Sequence, residues 1–108
     1  MVEETTLVQR RYGRISLPQG MYVVWYGGAG QEVSRVRTLG MGGLFISAAN
    51  PPSVGGKLIL VFEVPGGSVQ AGGVVRSVVP GEGMGVEFTR LAVSDRILLE
   101  RLLKRLLR

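Results

Sequence analysis

The chain has 108 residues, which suits one domain with one hydrophobic core. Its 45% hydrophobic and 19% charged residues are ordinary proportions for a globular protein and exclude a wholly disordered chain. The absence of cysteine and histidine excludes disulfides, thiolate metal sites and histidine-based catalysis. The formal net charge of +5 favours an anionic partner.

The chain begins with an acidic stretch, Met1–Glu4, that has no apolar run after it. This start predicts no secretory signal, and no later apolar run is long enough to span a bilayer. We therefore expect a cytoplasmic protein with a flexible N-terminus over residues 1–9 and one domain over residues 10–108.

A basic cluster, Arg10-Arg11-Tyr12-Gly13-Arg14, precedes the first predicted strand. One interpretation is a solvated, mobile arm, because charge runs are usually solvated. The other is a binding loop, because two guanidinium groups four residues apart can grip phosphate oxygens and stack on purine faces. Gly13 would let the backbone turn between them. The residues alone leave both interpretations open.

Short apolar runs bounded by glycine or proline predict six strands, near residues 21–27, 32–38, 43–48, 57–64, 68–79 and 84–90. The clearest alternation is Leu58, Leu60, Phe62 and Val64, with Lys57 and Glu63 on the other face. Pro65–Ser68 and Pro80–Gly83 predict tight hairpin connections. This pattern predicts an antiparallel meander, closed as a barrel or folded as a sandwich.

A glycine-rich segment, Thr38–Gly43, joins the second and third predicted strands. One interpretation is structural: the glycines supply a positive φ or a bulge in a strand connection. The other adds a function, since a glycine-lined wall lets a flat ligand approach the backbone closely. The segment is not a phosphate loop, because it lacks a Gly-Lys-Ser/Thr ending and no helix follows it.

The C-terminal residues 94–108 change to a helical period, with Ser94 as the predicted N-cap and Asp95 in the first turn. Six leucines form one broad apolar stripe: Leu98, Leu99, Leu102, Leu103, Leu106 and Leu107. The stripe can cover one face of the sheet. Alternatively, it can form a homodimer, or the basic helix can lie on an anionic membrane surface.

Taken together, the arginine cluster and the glycine-rich segment resemble the motifs of the PilZ domain family. Arg10 and Arg14 match that family's Arg-x-x-x-Arg motif, and Arg11 matches its frequent extra arginine. Thr38–Gly43 stands at its Asp/Asn-x-Ser-x-x-Gly motif, and Gly83–Phe88 is similar to its last barrel strand. The resemblance covers nearly the whole chain, from about residue 10 to residue 107.

The resemblance implies an all-β fold, a six-stranded antiparallel β-barrel with one C-terminal helix over residues 94–108. It also implies a non-enzymatic signalling module that binds cyclic di-GMP, a bacterial second messenger, without a cofactor and relays binding to a partner protein. The ligand-binding residues that it implies are Arg10, Arg11, Arg14, Thr38, Gly40 and Gly43.

The barrel motif departs from the family pattern at two positions. Thr38 replaces an acid or amide, and its hydroxyl cannot accept two parallel guanine N–H bonds as a carboxylate can. Gly40 replaces a serine and therefore lacks a hydroxyl. Losing two polar contacts would cost roughly 2–4 kcal/mol of binding free energy. A degenerate PilZ-like domain that contacts proteins in motility, pilus or secretion systems and does not bind cyclic di-GMP is the alternative.

A nucleic-acid-binding barrel is a third hypothesis, motivated by the net charge. It needs a strand face with paired aromatic and basic residues. The sequence has Tyr12, Tyr22, Trp25 and Tyr26, but no such face is evident, so we expect no nucleic acid polymer as partner. An enzyme is not expected either, because the acidic residues form no paired-carboxylate pattern and no metal site is predicted.

Overall fold

A computed structural model describes residues 15–16, 20–28 and 30–107 of the chain. Within these residues the order of elements is seven strands followed by one helix, here called α1. The strands are β1 (Ile15–Ser16), β2 (Tyr22–Gly27), β3 (Gly30–Leu39), β4 (Gly43–Ser47), β5 (Lys57–Val64), β6 (Gly67–Val79) and β7 (Gly83–Leu91), and α1 is Val93–Leu106.

Six of these strands form a closed antiparallel barrel in the order β2-β3-β4-β7-β6-β5, with β5 pairing back to β2. The prediction of a six-stranded barrel with a C-terminal helix is therefore confirmed. Closure leaves none of these six strands as a free edge. The two-residue strand β1 is additional and pairs with the end of β3.

The predicted meander is wrong at one connection, because β4 pairs with β7 and not with β5. The chain from Ala48 to Gly56 leaves β4 and crosses to the other side of the barrel, where β5 pairs with β2. This connection carries Pro51 and Pro52, which cannot donate ladder hydrogen bonds. The residues after β4 do not turn back as a hairpin.

The core follows the predicted alternation most clearly on β5. Leu58, Leu60, Phe62 and Val64 are buried, whereas Lys57 and Glu63 are exposed. The prolines and glycines after β5 and β6 make tight turns as predicted, with φ of +94° at Gly66 and +78° at Gly81. These turns fix the register of β5 on β6 and of β6 on β7.

The helix α1 closes one face of the barrel by packing on β5 and β6. Leu99 and Leu103 are buried, and Leu98, Leu102 and Leu106 pack partly buried against the core. Leu107, which the predicted stripe included, is 72% exposed and does not pack on the barrel, so its place in the stripe is wrong. The barrel covers the remaining leucines within one chain. The structure therefore does not support a homodimer through this stripe.

The start of α1 differs from the prediction. Ala92 is the N-cap, without a side-chain hydrogen bond, and Ser94 lies within the first turn, so the predicted Ser94 cap is wrong. Asp95 is in the first turn as predicted, and its Oδ1 accepts a hydrogen bond from the backbone N–H of Gln70 at 3.4 Å. That contact joins the start of α1 to β6. No helix in the described part of the chain is long and apolar enough to cross a bilayer.

Candidate functional site

The segment Thr38–Gly43 spans the end of β3, a short turn and the first residue of β4. The backbone N–H of Gly40 donates to the carbonyl of Gly43 at 2.9 Å, which closes the turn. None of the glycines in this segment has a positive φ. The irregularity is instead a register shift between Val36 and Thr38, so the bulge that the sequence suggested lies at the end of β3.

Gly43 is required by the close approach of β7. A Cβ at Gly43 would overlap the carbonyl oxygen of Val86 and crowd the backbone of Glu87. The neighbouring backbone thus fills the space that the missing side chain leaves. The one position of the barrel motif that matches the family pattern therefore has a structural cause of its own.

Thr38 lies on β3 and pairs with a strand on each side. It is half-buried, and its register partners are Ser16 on β1 and Phe45 on β4. Ile15 and Ser16 directly follow the arginine cluster in the chain, so the strand that continues from this cluster pairs with Thr38 and Leu39. The three predicted binding arginines, Arg10, Arg11 and Arg14, lie outside the described residues.

Gly40 is buried in the turn and offers only backbone groups to a ligand. Its N–H is engaged with Gly43, and Thr38 supplies the single hydroxyl of the segment. This segment therefore has fewer polar groups for a purine or a phosphate than a motif with an acid and a serine would have.

A cleft of about 220 Å³ lies beside the turn, between β7 and the start of α1. Its walls are Met41, Gly42, residues 87–91 and Arg96. The backbone N–H of Phe88 donates to the carbonyl of Gly42 at 2.8 Å, which fixes the turn against β7. Sequence reasoning did not assign Arg90 or Arg96 to a site, because only strand pairing brings β7 beside the glycine-rich turn.

A model of the PilZ domain family matches residues 9–105, and thus covers the barrel and most of α1. The chain belongs to the PilZ domain family. No curated protein sequence matches this PilZ domain with significant similarity.

Solved structures share the fold of this PilZ domain. The PilZ domain of YcgR from Escherichia coli, solved with c-di-GMP, superimposes with a TM-score of 0.72 at 21% identity, over 93% of this chain and 92% of that chain. The Bacillus subtilis inhibitor of motility MotI/DgrA gives 0.73 at 21% identity, and the K. pneumonia MrkH–c-di-GMP complex gives 0.72 at 18%. Both matches cover 91% of this chain. This chain spans about half the length of each of those two chains, 51% in both cases.

The aromatic residues of β2 in this PilZ domain are divided between the core and the surface. Trp25 is buried, and its Nε1–H donates to Oγ of the buried Ser34 at 2.9 Å. Tyr22 and Tyr26 are exposed on β2, while Tyr12 lies outside the described residues. Trp25 is thus a core residue, which removes it from the aromatic set that the nucleic-acid hypothesis needs.

Proposed function

We propose that this PilZ domain is a non-catalytic receptor for cyclic di-GMP. In this proposal Arg10, Arg11 and Arg14 hold the ligand against the barrel residues Thr38, Gly40 and Gly43. The observation that carries it is the register of β1: Ser16, two residues after Arg14 in the chain, pairs with Thr38. The strand that follows the arginine motif in the chain therefore lies beside the strand that carries Thr38.

The chemistry of the ligand matches these residues. Cyclic di-GMP has two phosphates and two guanines, and guanidinium groups bind phosphate oxygens bidentately and stack on purine faces. The net charge of +5 favours such an anion at long range. Further support comes from the YcgR and MrkH structures, which share this fold and were solved with c-di-GMP.

Signal relay and location belong to the same proposal. Ligand binding would hold the arginine segment against the barrel and so change the surface offered to a partner protein. The module would act in the cytoplasm, with cyclic di-GMP as its only small-molecule partner and no cofactor.

Calorimetric titration of the full chain with cyclic di-GMP tests this function, with GMP as the control ligand. We expect saturable binding at micromolar or tighter affinity, weakened at least about tenfold by Arg10→Ala and by Arg14→Ala, the cost of one or more charged hydrogen bonds. Arg101→Ala is the matched control, because Arg101 is an exposed arginine on α1. Unchanged affinity in both cluster variants would overturn the residue assignment. No heat and no thermal stabilisation with the parent chain would overturn the function.

The second candidate is a PilZ-like interaction domain, in a motility, pilus or secretion system, that does not bind cyclic di-GMP. The observation that favours it is that Thr38 and Gly40 lack the polar groups of the family motif, while Gly43 has a packing role against Val86. Restoring the motif with Thr38→Asp and Gly40→Ser tests it. Binding by the double variant, absent from the parent chain, would support this candidate; binding by the parent chain would exclude it.

A further inference from the structure

Two arginines line the cleft beside the glycine-rich turn. Arg90 lies near the end of β7, and Arg96 lies in the helix α1, one turn after its start. Both side chains are exposed, and neither has an ion-pair partner among the residues that the structure describes. Unpaired guanidinium groups on two walls of one concavity are an arrangement that suits an anion.

The position of Arg90 is supported by the strand beneath it. Arg90 pairs with Gly72 on β6, and a Cβ at Gly72 would lie only 3.2 Å from the Cβ of Arg90 and 3.6 Å from its Cγ and Cδ. The aliphatic stem of Arg90 therefore rests on a glycine that leaves room for it. This contact limits the directions that the guanidinium group can take.

Two acidic residues near the cleft each accept a hydrogen bond from another residue. Glu87 lines the same cleft, and its Oε1 accepts a hydrogen bond from Nε of Arg76 in an exposed ion pair. Asp95, which lies beside Arg90 on the other side of β7, accepts the backbone N–H of Gln70. Neither carboxylate forms an ion pair with Arg90 or Arg96.

The cleft adjoins the candidate ligand site. Met41 and Gly42 belong to the turn between Thr38 and Gly43 and form one wall of the cleft. Its volume of about 220 Å³ lies below the roughly 300–1,000 Å³ typical of pockets that enclose a whole small ligand. It therefore suits one end of a larger ligand whose remainder lies over the turn.

We propose that Arg90 and Arg96 bind one phosphate of cyclic di-GMP and so supply polar contacts that Thr38 and Gly40 do not provide. This inference rests on the proposed receptor function. Because Arg90 is on the barrel and Arg96 is on α1, a phosphate between them joins the two elements. Ligand binding would thus affect how the helix packs on the barrel. The outer face of this helix carries the exposed Arg101, Lys104 and Arg105.

Titration of the full chain with cyclic di-GMP, repeated for Arg90→Gln, Arg96→Gln and the double variant, tests this inference. We expect each single variant to weaken binding at least about fivefold and the double variant more, because a bidentate guanidinium–phosphate contact is lost. Arg90→Lys should restore only part of the affinity, because an ammonium group cannot bind bidentately. Arg101→Gln, on the same helix but outside the cleft, should bind like the parent chain.

The outcomes separate this inference from the function on which it rests. If Arg14→Ala weakens binding while Arg90→Gln, Arg96→Gln and the double variant stay within twofold of the parent chain, the phosphate assignment is overturned and the receptor function stands. If the parent chain does not bind, both proposals fail. Equal melting temperatures of the ligand-free variants and the parent chain would show that a loss of affinity does not result from unfolding of the variants.

Discussion

The carbonyl oxygen of Val86 occupies the space that a Cβ on Gly43 would need, so β4 and β7 can pair here only because this position has no side chain. Gly43 is also the last residue of the proposed binding motif. A loss of binding on its substitution would therefore have two possible causes, a lost ligand approach or a displaced strand, and stability must be measured beside affinity.

Gly43→Ala should destabilise the fold by about 2 kcal/mol or more, because the new methyl group forces the β4 and β7 backbones apart. Urea unfolding monitored by circular dichroism measures the difference in the free energy of unfolding. The control is Gly30→Ala: Gly30 also begins a strand, but a Cβ there meets nothing within 4 Å and its φ is not positive. Equal stability of the two variants would contradict the crowding at Val86.

Ser34→Ala should cost about 1–3 kcal/mol of unfolding free energy, because it leaves the indole N–H of the buried Trp25 without its acceptor. Trp25 is the single tryptophan of the chain, so its fluorescence reports both unfolding and the loss of the hydrogen bond to Ser34. Ser68→Ala, on an exposed strand position, should leave the unfolding midpoint nearly unchanged. A Ser34→Ala variant as stable as the parent chain would mean that water or another group satisfies the indole.

Leu99→Ala should destabilise the domain by about 2–5 kcal/mol, because Leu99 is fully buried between α1 and the barrel. Leu107→Ala removes the same atoms from a side chain that is 72% exposed and should change stability by less than about 0.5 kcal/mol. Thermal and urea unfolding of the two variants measure this contrast. Similar losses in both would indicate that the end of the helix is covered by something other than this barrel.

Local patterns predicted the parts of the fold that depend on local chemistry. The alternation of β5 follows from the burial of every second residue, and the turns after β5 and β6 follow from proline and glycine backbones. The pairing of β4 with β7 was not predictable in this way, since nothing in residues 48–56 specifies which strand lies beside β4. The start of α1 was misplaced because Ser94 is a good cap by type, whereas the extended backbone of Ala92 begins the helix.

The candidate site was predictable to a different extent in each of its parts. Thr38, Gly40 and Gly43 stood out because glycines cluster there, and β1 brings Ser16, which follows the arginine cluster, beside Thr38. Arg90 gave no signal in the sequence, and Arg96 stood out only as one of the basic residues of the C-terminal helix. The two come together beside Gly42 only through the pairing of β4 with β7 and the position of α1. Residues that meet through long-range strand pairing share no local spacing that a sequence pattern could reveal.

Glu87→Gln provides a test of the electrostatics of the cleft that leaves its cations intact. Glu87 is the carboxylate nearest to Gly43 in register and lines the cleft with Arg90 and Arg96. Its replacement removes a negative charge facing an anionic ligand and releases Arg76. We therefore expect cyclic di-GMP to bind about twofold to threefold more tightly, with the largest gain at low ionic strength.

The stability of Glu87→Gln should change by less than about 1 kcal/mol, because its ion pair with Arg76 is exposed. Glu63→Gln, an exposed position on β5 outside the cleft, makes the same change in net charge and is the matched control. If both variants gain affinity equally, the effect belongs to the net charge of the domain. If only Glu87→Gln gains, the ligand phosphate lies close to the cleft between β7 and α1, as the assignment of Arg90 and Arg96 requires.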